Sequence, residues 1–369
     1  MRGRSFILIM GFLLFGLSCE RKQQKAIEIA AMMPLTGPLA EFGNPLRDGM
    51  LMAEEEINSD PQSKKIQVIA EDDLGDPKNA VTIFTKFCDV DRVPLVLGPA
   101  TSGASMATAP IAEQNRVVQI STIAGIPQLS DAGDYVFRLY PSSALGARYV
   151  VQQATSRFKA KNIAVLYANN PFGQTTRVIV EQGSNEYGYA IVAVETFKDG
   201  DRDFRAQLTK IKSARPDVLV CNAYYVEGAQ ILRQAKQLGL EIPVLGEDGW
   251  FGPIAHIARE ALKNLYFANV AFGAEEKDNA KMQSFISAFE KRYGRKPNTY
   301  SAVGYDGVHI AKRLIDKYAS NSQEIKTALY RLDYSGAFGR IRFDSKGDNI
   351  AAVYRLYQLN ERNEPVLVK

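Results

Sequence analysis

The sequence predicts an α/β protein made of two doubly wound parallel-sheet lobes, and three observations predict it. Short, almost uniformly apolar runs rich in β-branched residues recur along the chain. Each is followed by a stretch whose apolar residues repeat with helical period, as expected of parallel strands covered on both faces. The series also occurs twice, on either side of YPSSALGARY (140–149), in a chain of 369 residues that has room for two ordinary domains.

In order, the strand candidates of the first series are IEIAAMM (27–33), IQVIAED (66–72), PLVLG (94–98) and VVQIS (117–121). Those of the second are IAVLYA (163–168), AIVAVETF (190–197), DVLVCN (217–222), IPVLG (242–246) and LYFANV (265–270). Between them LRDGMLMAEEEIN, FRAQLTKIKSA and EGAQILRQAKQLG read as amphipathic helices. In EDDLGDPKNAV the acids read as a strand exit and turn, with Asp76 capping a helix that Pro77 opens. Two later segments, KMQSFISAFEKRY and YSAVGYDGVHIAKRLID, are free to return to the first lobe. The expected division is 27–143 plus 268–348 for lobe 1 and 144–267 plus 349–369 for lobe 2.

Open parallel sheets bind ligands beyond the carboxyl ends of their strands, and two such sheets facing each other form a cleft. Five strand-end loops supply candidate groups. GPATSGASMATAP (98–110) puts Ser102 at a helix N-cap, where backbone N–H groups and the helix dipole favour an anion and Thr101 and Ser102 add hydroxyls. TIAGIPQLSD (122–131) contributes Ile123 and Gly125, and ANNPFGQTTR (168–177) contributes Phe172. NAYYVEG (222–228) carries Tyr224 beside Tyr225, and GEDGWFGP (246–253) carries Asp248 and Trp250, the single tryptophan. Taken singly each is an ordinary turn. Five of them, on both lobes and enriched in hydroxyls, aromatics and an acid, describe a ligand cleft.

Catalytic chemistry finds little support. Neither Gly98 nor Gly103 starts GxxxxGK[ST], no GxGxxG follows the first strand, and no serine sits in GxSxG. The two histidines, His256 and His309, lie in the helix-like HIAREALK and GVHIAKRL and read as structural. No CxxC or Cys/His spacing suggests zinc, and Cys88 and Cys221 read by default as buried free thiols, a bridge between them being the alternative. The reading is of a binding protein with no enzyme activity, cofactor or metal.

Charge and the amino terminus address location. Lys+Arg number 45 against 41 Asp+Glu, a formal +4, which gives no electrostatic argument for nucleic acid or an anionic membrane surface. Arg2 and Arg4 precede FILIMGFLLFGLS, which is too short to span a membrane and reads as an export signal (1–18). Ser18 directly before Cys19 resembles a bacterial lipoprotein processing site, with Cys19 becoming the lipidated terminus and 19–26 a polar tether.

Over about residues 27 to 360 the chain resembles the periplasmic Leu/Ile/Val-binding type of solute-binding protein that serves ATP-driven importers. The resemblance rests on MPLTGPLAEFGNPLRDGMLMAEEEIN (33–58), EDDLGDPKNAV (71–81), VLVCNAYYVEGAQILRQAKQLGL (218–240) and GAFGRIRFDSKGD (336–348), in that order. It implies a periplasmic binding protein-like I fold whose lobes are joined by three crossover strands and close around a small ligand. It further implies that Ser102 holds a ligand carboxylate and that Asp248 accepts a ligand ammonium. Phe42, Tyr224 and Tyr300 would line the pocket. The partners implied are an amino acid or related carboxylate and the importer's permease, for a monomer held at the membrane by its lipid.

This sequence also departs from the pattern. The family's threonine that touches both carboxylate and ammonium falls on Gly125, and a lobe-two tyrosine falls on Phe172 and loses its hydroxyl. The first-lobe disulfide of some relatives is absent, its positions being Gly75 and Thr101. With Phe172 and Trp250 nearby, the fewer polar anchors suggest an apolar or aromatic ligand. Asp248 keeps an ammonium partner available, so that the expected ligand is a branched-chain or other hydrophobic amino acid. The alternatives are an aromatic carboxylate or amide, or a sensor of the same fold.

Overall fold

The computed structural model describes residues 26–250, 254, 258–273, 276–360 and 365–369. The export signal, Cys19, most of the tether and His256 lie outside the described residues. Five strands form the first sheet: β1 (Ile27–Met33), β2 (Ile66–Asp72), β3 (Leu95–Leu97), β4 (Val118–Ser121) and β5 (Val136–Arg138). Their order is β2-β1-β3-β4-β5 and every pairing is parallel. The helices that cross between them are α1 (Ala40–Ser59), α2 (Pro77–Asp89) and α3 (Ser102–Asn115). As the sequence predicts, Asp76 caps α2 by accepting from Lys78 and Asn79 amides, and Pro77 occupies the first turn, where its missing N–H is no loss.

The second sheet repeats that plan with β6 (Asn162–Ala168), β7 (Ala190–Phe197), β8 (Val218–Asn222), β9 (Val244–Gly246) and β10 (Leu265–Val270). Its helices are α4 (Ser143–Ser156), α5 (Pro171–Tyr187), α6 (Arg205–Ser213) and α7 (Tyr225–Gln237). The run β7-β6-β8-β9-β10 is parallel and is extended by two antiparallel strands, β13 (Tyr354–Leu359) and β14 (Pro365–Leu367). Central β8 is buried at every residue, whereas edge strand β7 is half-exposed along most of its length, as its mixed sequence requires.

The chain then returns to the first sheet. Helices α8 (Ala280–Tyr293), α9 (Thr299–Tyr318) and α10 (Ser322–Tyr330) precede the hairpin β11 (Asp333–Ser335) and β12 (Arg340–Arg342). Helix α9 packs along α1 at backbone contact, because Gly49 and Gly304 face the partner helix. A Cβ on either would come within 1.9 Å of Ser301 O or 2.1 Å of Leu46 O. The division expected at 268 needs correction: β10 pairs with β13 through Val270↔Tyr354, so the exchange follows Val270. An apolar run alone does not reveal where its last ladder bond falls.

Three segments pass between the sheets, at 139–142, 271–279 and 349–353. They are tied together by Asn349 Nδ2 to Leu139 O at 2.7 Å and by the Ala271 amide to Val353 O at 2.7 Å. Beside them Arg138 is fully buried and donates to Asp348 Oδ1 at 2.6 Å, to Ile126 O at 2.7 Å and to Ser130. Replacing Asp348 by alanine strands this guanidinium and is expected to lower stability by about 3–5 kcal/mol in urea denaturation. Asp134→Ala, which removes an exposed partner of Lys326, is expected to leave the midpoint unchanged.

Candidate ligand-binding cleft

Apart from Tyr300, in the first turn of α9, each candidate wall residue follows a parallel strand, and in both sheets the loops after the central strands reach one cleft. After β3 the chain turns through Pro99, whose carbonyl accepts from the buried hydroxyls of Ser105 and Ser121 at 3.2 and 3.0 Å. That anchors the turn and starts α3 at Ser102. The N-cap is Thr101, whose Oγ1 accepts from the Ala104 amide at 3.4 Å, and not Ser102 as expected. Two adjacent hydroxyl residues satisfy the same rule, and the turn's dihedrals choose between them. Ser102 is therefore the first helical residue, where backbone amides have no acceptor within the helix.

After β4, Ile123 and Gly125 form the adjoining edge. The Gly125 carbonyl accepts from both the amide and the hydroxyl of Ser143, at 2.6 and 2.8 Å, at the start of α4. A Cβ at 125 would lie 2.9 Å from Ser143 Cβ. Close packing of this turn against the first crossover thus explains why no threonine stands here.

The aromatic walls come from four elements. Phe42, on α1, meets Tyr224, Tyr225 and Tyr300 edge-on with ring centroids 5.4, 5.7 and 5.8 Å away. Phe172 sits in the first turn of α5, which Asn170 caps through the Gly173 amide at 2.9 Å, and stacks on Tyr224 at 5.6 Å. Tyr224 ends the loop after β8, and Tyr300 lies in the first turn of α9. Two of these tyrosines donate across the lobes, Tyr225 to Pro38 O at 2.8 Å and Tyr300 to Asp248 O at 3.0 Å.

Asp248 opens a single 3-10 turn after β9. Its carboxyl is pushed up to about 6, chiefly by removal from water, against the Tyr140 hydroxyl and the Gly249 amide, which favour the charged form. At neutral pH it remains mostly ionised and lines a cavity between the lobes. That cavity is lined by Phe42, Thr101, Ser102, Ile123, Gly125 and Phe172, together with Tyr224, Asp248 and Tyr300.

Trp250 is the exception. It is 1% exposed, and its indole N–H donates to Cys221 O at 3.0 Å behind the wall. The tight turn sends Asp248 to the cavity and Trp250 into the core. Ala100 and Gly249 also line the cavity; with no functional side chain they carry no signal beyond their strand-end position. Cys88 and Cys221 are free thiols, the first half-buried and the second buried.

The raised Asp248 carboxyl sets a stability prediction. Its native value lies above the ordinary 3.8, so the folded state holds the extra proton between about pH 4 and 6, and stability falls as pH rises through that window. Asp248→Asn escapes this loss and is expected to exceed the wild type by about 1–3 kcal/mol at pH 7 but not at pH 4, by urea denaturation.

A family model described as periplasmic binding protein matches residues 26–364. The leucine-, isoleucine-, valine-, threonine- and alanine-binding protein of Pseudomonas aeruginosa is 28% identical over 345 residues, covering 92% of this chain and 90% of its own. Leu/Ile/Val-binding protein homolog 3 of Brucella melitensis is 30% identical over 337 residues, covering 84% and 87%. Among solved structures, the branched-chain amino acid transporter substrate binding protein LivJ of Streptococcus pneumoniae, in complex with isoleucine, aligns with a TM-score of 0.84 at 29% identity. That alignment covers 94% of this chain and all of that one. Among the described residues no helix is long and apolar enough to cross a membrane. Fold, cleft and relatives agree that the chain belongs to the type I periplasmic binding protein family, in the branch whose relatives are named Leu/Ile/Val-binding proteins.

Proposed function

We propose that this chain is an extracytoplasmic solute-binding lipoprotein, anchored through Cys19, that captures a branched-chain or other hydrophobic amino acid and delivers it to the permease of an ATP-driven importer. One observation carries the reading: the start of α3 at Ser102 and the Asp248 carboxyl, from different lobes, border the same cavity. A zwitterion suits that pair. Its carboxylate meets the amides and hydroxyl at the helix start, where the dipole favours negative charge. Its ammonium meets Asp248, and a charge-assisted contact is stronger than a neutral one. The apolar side chain then lies among Phe42, Phe172, Tyr224 and Tyr300. The names of the relatives support the same ligand class.

Because each end of the ligand is held by a different lobe, it binds the closed arrangement better than the open one. Closure is then a population shift driven by differential contacts, and the permease distinguishes loaded from empty protein. The protein acts as a monomer and needs no cofactor. A second reading, an aromatic carboxylate, is favoured by the aromatic walls and by the missing hydroxyls at Gly125 and Phe172.

Calorimetry with hydrophobic amino acids and benzoate-like acids separates the two: micromolar or tighter binding confined to amino acids supports the first, and binding confined to aromatic acids the second. Ser102→Ala and Asp248→Ala are each expected to weaken amino acid binding by about 1–3 kcal/mol. Unchanged affinity in both would reject the pocket assignment.

A further inference from the structure

Glu247 stands directly before Asp248 but does not line the cavity, and it is 2% exposed. Its Oε1 accepts from the Thr176 hydroxyl and from Asn222 Nδ2 at 3.2 Å, while Asn222 Nδ2 also reaches Thr176 Oγ1 at 2.7 Å. The three side chains form a closed triangle inside the second lobe. None is on the wall, yet each stands beside a residue that is. Thr176 is one turn of α5 beyond Phe172, Asn222 is two residues before Tyr224, and Glu247 adjoins Asp248.

We propose that Glu247 is the positioning residue of the second-lobe wall: its one buried carboxyl ties α5, β8 and the turn after β9 together and so sets how Phe172, Tyr224 and Asp248 are spaced against the ligand. This rests on the ligand reading above.

Glu247 does this as a neutral acid. Burial first, and then Asp248, push its carboxyl up to about 8, against the two hydrogen bonds from Thr176 and Asn222. The ionisable groups that face it are Asp248 and, from β13, Tyr354. Helix α4 places Gly146 against Oε2, and α5 and β8 present the uncharged Thr176 and Asn222. Asn222 Oδ1 is buried without a partner among the described residues. Turning that amide over places Oδ1 where it accepts the Glu247 proton, an exchange open only to the neutral acid. Ionisation would instead set two carboxylates on consecutive residues in a site of low polarity, and the wall would open to water to relieve them.

The test uses the full chain with isoleucine as probe, titrated calorimetrically from pH 6 to 9, for the wild type, Glu247→Gln and Glu247→Ala. The wild type is expected to weaken about tenfold between pH 7 and 9, as the acid loses its proton. Glu247→Gln keeps the shape and the acceptor, so its affinity at pH 7 is expected within about threefold of the wild type, with less than about twofold change up to pH 9. Glu247→Ala is expected to weaken about tenfold or more throughout, its circular dichroism remaining native.

A ligand-free readout separates this proposal from the choice of ligand. The fluorescence of Trp250, two residues beyond Asp248 and bonded to Cys221 O, is expected to show an inflection near pH 8 in the wild type and none in Glu247→Gln. If isoleucine fails to bind the wild type, the ligand reading falls and the Trp250 titration alone decides here. The proposal is overturned if that inflection is missing or survives in Glu247→Gln, if a folded Glu247→Ala binds as the wild type does, or if Glu247→Gln keeps the alkaline weakening.

Discussion

Parallel strands within each lobe impose the constraint on which the molecule depends. Because β1 to β5 and β6 to β10 run the same way within each lobe, their carboxyl ends gather along one rim of each sheet. Apart from Tyr300 at the start of α9, the wall residues follow β1, β3 and β4 in the first lobe and β6, β8 and β9 in the second. These are the same places in the shared order, read as β2-β1-β3-β4-β5 and β7-β6-β8-β9-β10. A doubly wound sheet opens a crevice where its strand order reverses, and two such crevices are set against each other here. The three crossovers, tied by Asn349–Leu139 and Ala271–Val353, keep the rims face to face.

That geometry has an electrostatic consequence. The cleft must be apolar enough to hold a hydrophobic guest and must still contain an anion, so Asp248 is held in surroundings that resist its charge. Glu247, directly before it in the chain and behind the wall, escapes the conflict by keeping its proton, which lets the second lobe hold two adjacent acids without two charges. A buried carboxyl is costly wherever it stands, and lobe two tolerates this pair because each is given hydroxyl, amide or backbone partners.

How much of this was legible follows from how local each cause is. Strands such as IEIAAMM and AIVAVETF were bounded to the residue, since an apolar or alternating run flanked by polar turns leaves little choice. The three-residue β5, the β11–β12 hairpin and the antiparallel pair β13 and β14 were not among the strand candidates: too short or too polar to show a period, they are made strands by their neighbours. At the site, the strand-end loops and their aromatic and acidic side chains were visible as types at positions. What the chain did not display was direction, so that Trp250 was assigned to the cavity although its indole reaches Cys221 behind it.

The sequence by itself determined the alternation of strands and helices, the doubling of the plan and the residue types at each strand end, because these depend on hydrophobic period and local turn chemistry. Only the tertiary structure decided that α1 and α9 touch through Gly49 and Gly304 and that Gly125 is pinned beneath Ser143. It likewise decided that Asp248 faces the cleft while Glu247 binds Thr176 and Asn222. Each of these joins residues distant in the chain through contacts of a few ångströms, and a one-dimensional pattern carries no information about which distant surfaces meet.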